Sequence, residues 1–170
     1  IVGSAISGNQ YGILVNSKDC TLTNLNFADN TVGYKSEGDF NQITDSTFSN
    51  NNIGASIGGS DNNIISNNNF NSNTIGVEIY GIAEDNKIEN NEISETSQIG
   101  IYLKAGSDGT EETTIKGNYI HNNSGMGIHV KAHDNEIFNN ILEYNSEVSL
   151  LISDSSGNNS IHNNTFKSND

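Results

Sequence analysis

The chain has 170 residues, a net charge of −14, 32% hydrophobic content and no Pro, Trp or Arg. Length allows one domain. The acidity, with seven scattered lysines, argues against nucleic acid and anionic membrane surfaces as partners, one cysteine excludes an internal disulfide framework, and no apolar stretch approaches the 18 residues of a membrane helix.

From the N-terminus onward, the elements repeat. The first 11 residues read as the tail of a unit, with Ile1, Ile6 and Asn9 in register with Leu22, Phe27 and Asn30. A glycine column follows at Gly12, Gly33, Gly54, Gly76, Gly100 and Gly127, with Ser149 in the last slot. A second column holds Leu22, Ile43, Ile65, Ile88, Ile115, Ile137 and Ile161. Five residues beyond each stands a third: Phe27, Phe48, Phe70, Ile93, Ile120, Leu142 and Phe166. Three columns agree on a period of about 22 residues, the mark of a repeat architecture.

After each glycine comes a short alternating run: Ile13/Val15, Tyr34/Ser36, Ala55/Ile57, Val77/Ile79, Ile101/Leu103, Ile128/Val130 and Leu150/Ile152. Period-two alternation fits a half-buried strand, and helical stripes are absent. Asparagines are columnar as well. One set, two residues before the Ile column, is Asn41, Asn63, Asn86, Asn135 and Asn159, with Cys20 and Thr113 substituting. Another, two residues after it, includes Asn67, Asn90, Asn139 and Asn163. A third runs through Asn30, Asn51, Asn73, Asn123 and Asn145. An amide both donates and accepts, so stacked amides satisfy one another. All three sets are therefore expected to be structural ladders.

The fold expected over residues 1–170 is all-β: a single-stranded parallel solenoid of about seven coils. At roughly 4.8 Å per coil the rod is about 35 Å long. No cap is evident, so the solenoid is expected to be a segment of a longer one, with adjoining coils or a capping domain at its ends.

The motif N-x-I-x-N-N-x-[FIL]-x-x-N-x-x-G-I-x-[LV], as in NKIENNEISETSQIGIYL at 86–103, resembles the right-handed parallel β-helix repeat of the pectate-lyase-like superfamily. It is most similar to the copper-maturation-associated and carbohydrate-binding and sugar-hydrolysis modules. The resemblance implies a right-handed helix and an extracellular or cell-surface setting. It does not fix an activity, because one scaffold hosts many. Signatures of the enzymatic subfamilies are missing: there is no Arg for a lyase base, no hydrolase N-T-D or G-H-G, and no proline for an epimerase D-P-H.

The outward strand residues form a row, Leu14, Lys35, Ser56, Glu78, Tyr102, His129 and Leu151. Glu78, Tyr102 and His129 are the catalytic candidates. Lys35, Lys104 and Lys131 join them as candidate glycan-binding residues. Hydrolysis wants two carboxyl groups, and the row holds one. The longest insertion, 104–112, carries Asp108, Glu111 and Glu112. Calcium is the one cofactor these oxygen donors suit, although a plain acidic loop is the simpler explanation. The function expected is a non-catalytic module presenting a rigid face to polysaccharide, surface glycan or protein. The alternatives are a polysaccharide-active enzyme and a structural rod. The negative charge favours neutral or basic glycans over polyuronates.

Overall fold

The computed structural model describes residues 4–104, 110–153 and 157–168; of Thr110 and Glu111 only the backbone is described. Three parallel sheets run the length of the chain, and consecutive strands visit them in turn. One coil, for example, contributes Ile64–Ser66 to the first sheet, Asn69–Asn71 to the second and Ile75–Tyr80 to the third. Among the described residues these sheets contain seven, eight and seven strands. The chain is a β-solenoid, as the columns require.

Register turns columns into stacks. Ile43, Ile65, Ile88, Ile115 and Ile137 lie opposite one another along the first sheet and are fully buried. In the second sheet Phe27, Phe48 and Phe70 stack with ring centroids 4.7 and 4.5 Å apart. Ile93, Ile120 and Leu142 continue the file. The third sheet closes the core with Ala55/Ile57, Val77/Ile79, Ile101/Leu103 and Ile128/Val130. A single coil buries few apolar groups, so stacking supplies the continuous core.

The glycine column lets the third sheet enter this core. A Cβ on Gly54 would lie 2.6 Å from the Gly76 carbonyl oxygen and 2.7 Å from the Phe70 ring. Ser149 carries its Cβ just before the last strand of that sheet, Leu150–Ile152, beyond which no further strand is paired among the described residues.

Two of the three polar columns are ladders. In the first, Asn41, Asn63, Asn86, Asn135 and Asn159 each accept, through Oδ1, the backbone N–H of the residue one coil earlier, at 2.8–3.0 Å. In the other, Asn30, Asn51, Asn123 and Asn145 accept in the same way, at 2.8–3.4 Å.

The remaining column needs correction. Asn67, Asn90, Asn139 and Asn163 are exposed, and each takes a positive φ of 55–56° at the bend between the first and second sheets. The ladder there is the next residue: Ser46, Asn68, Asn91, Asn118 and Asn140, all buried, and the half-buried Asn164, again bonded side chain to backbone at 2.9–3.1 Å. A left-handed residue reverses the chain tightly enough to put its own side chain outside and its successor's inside. Asn tolerates that conformation better than most residues.

The expectation for Ile152 also differs. It is 39% exposed, because the last third-sheet strand is covered on one edge only. Ile1 lies outside the described residues.

Candidate functional site

The third sheet presents the outward row as the alternation demands. Leu14, Lys35, Ser56, Glu78, Tyr102, His129 and Leu151 are paired in unbroken register. Parallel pairing fixes the spacing between successive members at about 4.8 Å, so residues far apart in sequence form one strip.

Two groups stand out along it. Tyr102 and His129 stack, with centroids 5.1 Å apart and planes at 19°. The imidazole Nε2 lies 2.9 Å from the Ser153 hydroxyl, which fixes the ring. His129 is 8% exposed, and Tyr102 is half-buried. One coil earlier Glu78, also 8% exposed, has Ser56 Oγ at 3.5 Å and Lys104 Nζ at 3.9 Å.

Further along, Lys35 Nζ contacts Glu37 Oε1 at 2.6 Å and sits over two rings, 5.2 Å from the Tyr11 centroid and 5.9 Å from that of Tyr80. Its hydrogen bond to Glu37 holds the ammonium above the ordinary lysine value, despite partial burial. Tyr11, Lys35, Ser56, Glu78, Tyr80 and Lys104 border a cleft of about 160 Å³, with Val32 and Ile53 as its apolar part. The strip thus offers cations, a carboxylate, an imidazole and phenols beside aromatic surface, the mixture that suits a polyhydroxylated chain.

Of the expected residues, Lys35, Glu78 and Lys104 share the cleft, and Tyr102 with His129 continues from it. Lys131 follows the strand Met126–Val130, and its backbone N–H donates to the Leu103 carbonyl. Tyr11 and Tyr80 were not singled out by the sequence. The signal for Tyr80 was there: it stands two residues beyond Glu78, on the same side of the pleat.

Of the three calcium donors expected from the sequence, only Glu112 has a described side chain. Asp108 lies outside the described residues, as does the Glu111 side chain, and Glu112 is exposed at φ 53°. The backbone at Thr110–Glu111 pairs with Ala83–Glu84. Among the described residues no group of three His, Cys, Asp or Glu side chains is placed to hold a metal ion.

The family described as right handed beta helix region matches residues 11–166. The chain belongs to that family. The crossovers between its parallel strands are accordingly right-handed. The β-helix is similar in structure to an alginate lyase from Paenibacillus sp. str. FPU-7. That match has a TM-score of 0.62 at 13% identity and covers 98% of this chain and 89% of the other. At that identity the likeness establishes the fold. No curated protein sequence matches the chain.

Proposed function

We propose that the third-sheet face is a glycan-binding surface, with a polysaccharide chain lying along the row from Lys35 to His129. The stacked Tyr102–His129 pair carries this reading. An aromatic plane held rigid beside a carboxylate and an ammonium gives a sugar ring one face to rest on and hydroxyl partners at its edge. The β-helix is stiff, so the surface is organised before binding and little is lost in ordering it.

A second, catalytic reading is favoured by Lys104, Tyr102 and His129 standing on neighbouring coils. On a uronate chain of the kind named for the structural relative, Lys104 would neutralise the sugar carboxylate. His129 or Tyr102 would take the proton from the carbon next to that carboxylate. The glycosidic C–O bond would break as a C=C bond forms, and the departing oxygen would gain a proton. Against hydrolysis stands the single carboxylate of the row, Glu78. Three of the seven lysines, Lys35, Lys104 and Lys131, lie along this face, which offsets locally the negative charge of the whole chain.

The test is incubation with neutral, basic and acidic polysaccharides, with and without calcium, measuring retained binding and released reducing or unsaturated ends. Retention that Tyr102→Ala weakens at least tenfold supports the binding surface. Unsaturated ends abolished in His129→Ala or Tyr102→Phe, with retention kept, would make the protein a lyase. Neither retention nor product from any substrate overturns both readings and leaves the structural rod.

A further inference from the structure

The bend between the first and second sheets holds a different polar surface. Asp45, Asn67 and Asn90 stand there on successive coils at φ 50–56°, exposed. Beside them Thr47, Asn69 and Glu92 open three paired strands of the second sheet. These six side chains border an open recess of about 410 Å³, larger than the third-sheet cleft.

The three side chains from the second-sheet strands are held by hydrogen bonds. Asn69 Nδ2 donates to Glu92 Oε2 at 3.4 Å, and Thr47 Oγ1 donates to Asn26 Oδ1 at 3.0 Å. The other Glu92 oxygen lies 3.2 Å from His121 Nε2. One coil on, in register with Glu92, stands Tyr119. Its ring stacks on His121 with centroids 4.0 Å apart, and its hydroxyl donates to Glu143. The recess therefore runs up to an anchored aromatic pair.

We propose that this corner is a second glycan site, for a neutral, hydroxyl-rich saccharide lying along the solenoid axis. Each amide donates and accepts, each carboxylate accepts, and a sugar hydroxyl does both. The partners recur about every 4.8 Å, coil by coil, as the hydroxyls of a linear chain recur ring by ring. No lysine is among the residues bordering the recess, while Asp45 and Glu92 are. An anionic sugar would meet like charge there and no counter-charge. The Tyr119–His121 pair supplies the flat surface on which a ring stacks. The site shares no residue with the third-sheet face and stands whether or not that face binds glycan.

The experiment is an NMR titration of uniformly ¹⁵N-labelled protein with cellohexaose, mannohexaose and xylohexaose, and with a hexagalacturonate as the anionic comparison. The side-chain amides of Asn67, Asn69 and Asn90 report on the corner, and the backbone amides of Ser56, Glu78 and Tyr102 report on the third sheet. At least one neutral hexaose is expected to shift the corner amides, with hexagalacturonate leaving them in place. The double variant Asn69→Ala/Glu92→Gln, checked for an unchanged thermal midpoint, is expected to weaken that binding at least tenfold. Corner amides unmoved by every neutral hexaose at millimolar concentration would overturn the proposal, even if the third-sheet amides shift. A double variant that melts and binds like the parent would overturn it too.

Discussion

A buried amide in this fold serves two neighbouring coils at once. Asn91 Oδ1 accepts the backbone N–H and the side-chain amide of Asn68 on the preceding coil, and its own Nδ2 donates to the Ile65 carbonyl there and to Asn118 Oδ1 on the next coil. Leucine at 91 would take the side-chain acceptor from the buried Asn68 N–H, while Asn68 Nδ2 keeps the Ile43 carbonyl, and a buried group left unsatisfied costs about 1–3 kcal/mol. Urea unfolding of Asn91→Leu should show a loss of at least that size. The residue beside it behaves differently. Asn90 points to solvent at φ 55°, and Gly117 fills the same slot one coil later at φ 66°. Asn90→Gly should therefore unfold within about 0.5 kcal/mol of the parent. If the two variants lost equal stability, the division between inner and outer column would be wrong. The sequence hid that division because the motif places two asparagines side by side, as in Asn67–Asn68 and Asn139–Asn140. The distinguishing signals lay where the motif degenerates: Leu25 stands in the inner column, and Gly117 with Asp45 in the outer one. A second residue-scale prediction concerns Tyr34, whose buried hydroxyl makes no ordinary hydrogen bond among the described residues. Burial pushes its phenol up to about 12, more than the Ser36 hydroxyl pulls it down. The fold then keeps a proton that the unfolded chain sheds. Stability is full below about pH 10 and falls as pH rises toward 12. Tyr34→Phe should flatten that fall and add about 1 kcal/mol at neutral pH. An unchanged alkaline unfolding curve would refute it.

At the scale of the element, what matters is how closely one strand approaches the next coil. The glycine of each third-sheet strand has the following glycine's carbonyl against the place where a Cβ would be, 2.4–2.6 Å from Gly12 through Gly100. Backbone cannot yield there as a side chain can. Gly54→Ala must push the Ile53–Gly58 strand from its neighbour or displace Phe70. A cost of about 1–3 kcal/mol follows, read as a lower urea midpoint; the parent's midpoint in Gly54→Ala would show that the sheets have slack. The glycine column was legible as a spacing, and so were the inward files and the outward row, because all of them repeat within one chain. The cleft was not, since it depends on pairings across coils. Tyr11 comes from one coil and Tyr80 from another, and only the parallel register brings both rings over Lys35. The corner recess escaped for the same reason, compounded by the misplaced asparagine column.

For the whole molecule, a solenoid stacked coil on coil has no single core whose loss unfolds everything, and its stability is close to a sum of coils and their interfaces. Exposure along the two apolar files is uneven. Ile65, Phe70, Ile88, Ile93, Ile137 and Leu142 are fully buried, whereas Ile161 and Phe166, in the same files one coil on, are 38% and 48% exposed. Amide hydrogen exchange should follow that gradient. Amides of Ile64–Ser66, Asn69–Asn71 and Lys87–Glu89 should exchange slowest, those of Glu136–Phe138 faster, and those of Ser160–His162 and Thr165–Lys167 fastest. Uniform protection from one end to the other would mean that the coils open as one unit, against nearest-neighbour stacking. Both proposed glycan surfaces are built without Ser160–His162 and Thr165–Lys167, although the strand of His129 pairs with Leu150–Ile152. If the gradient holds, opening at the C-terminal coil leaves both surfaces assembled. Partial unfolding in mild urea should then release the protection of Ser160–Lys167 before glycan affinity begins to fall. Affinity lost together with that first transition would show instead that the surfaces depend on the last coil.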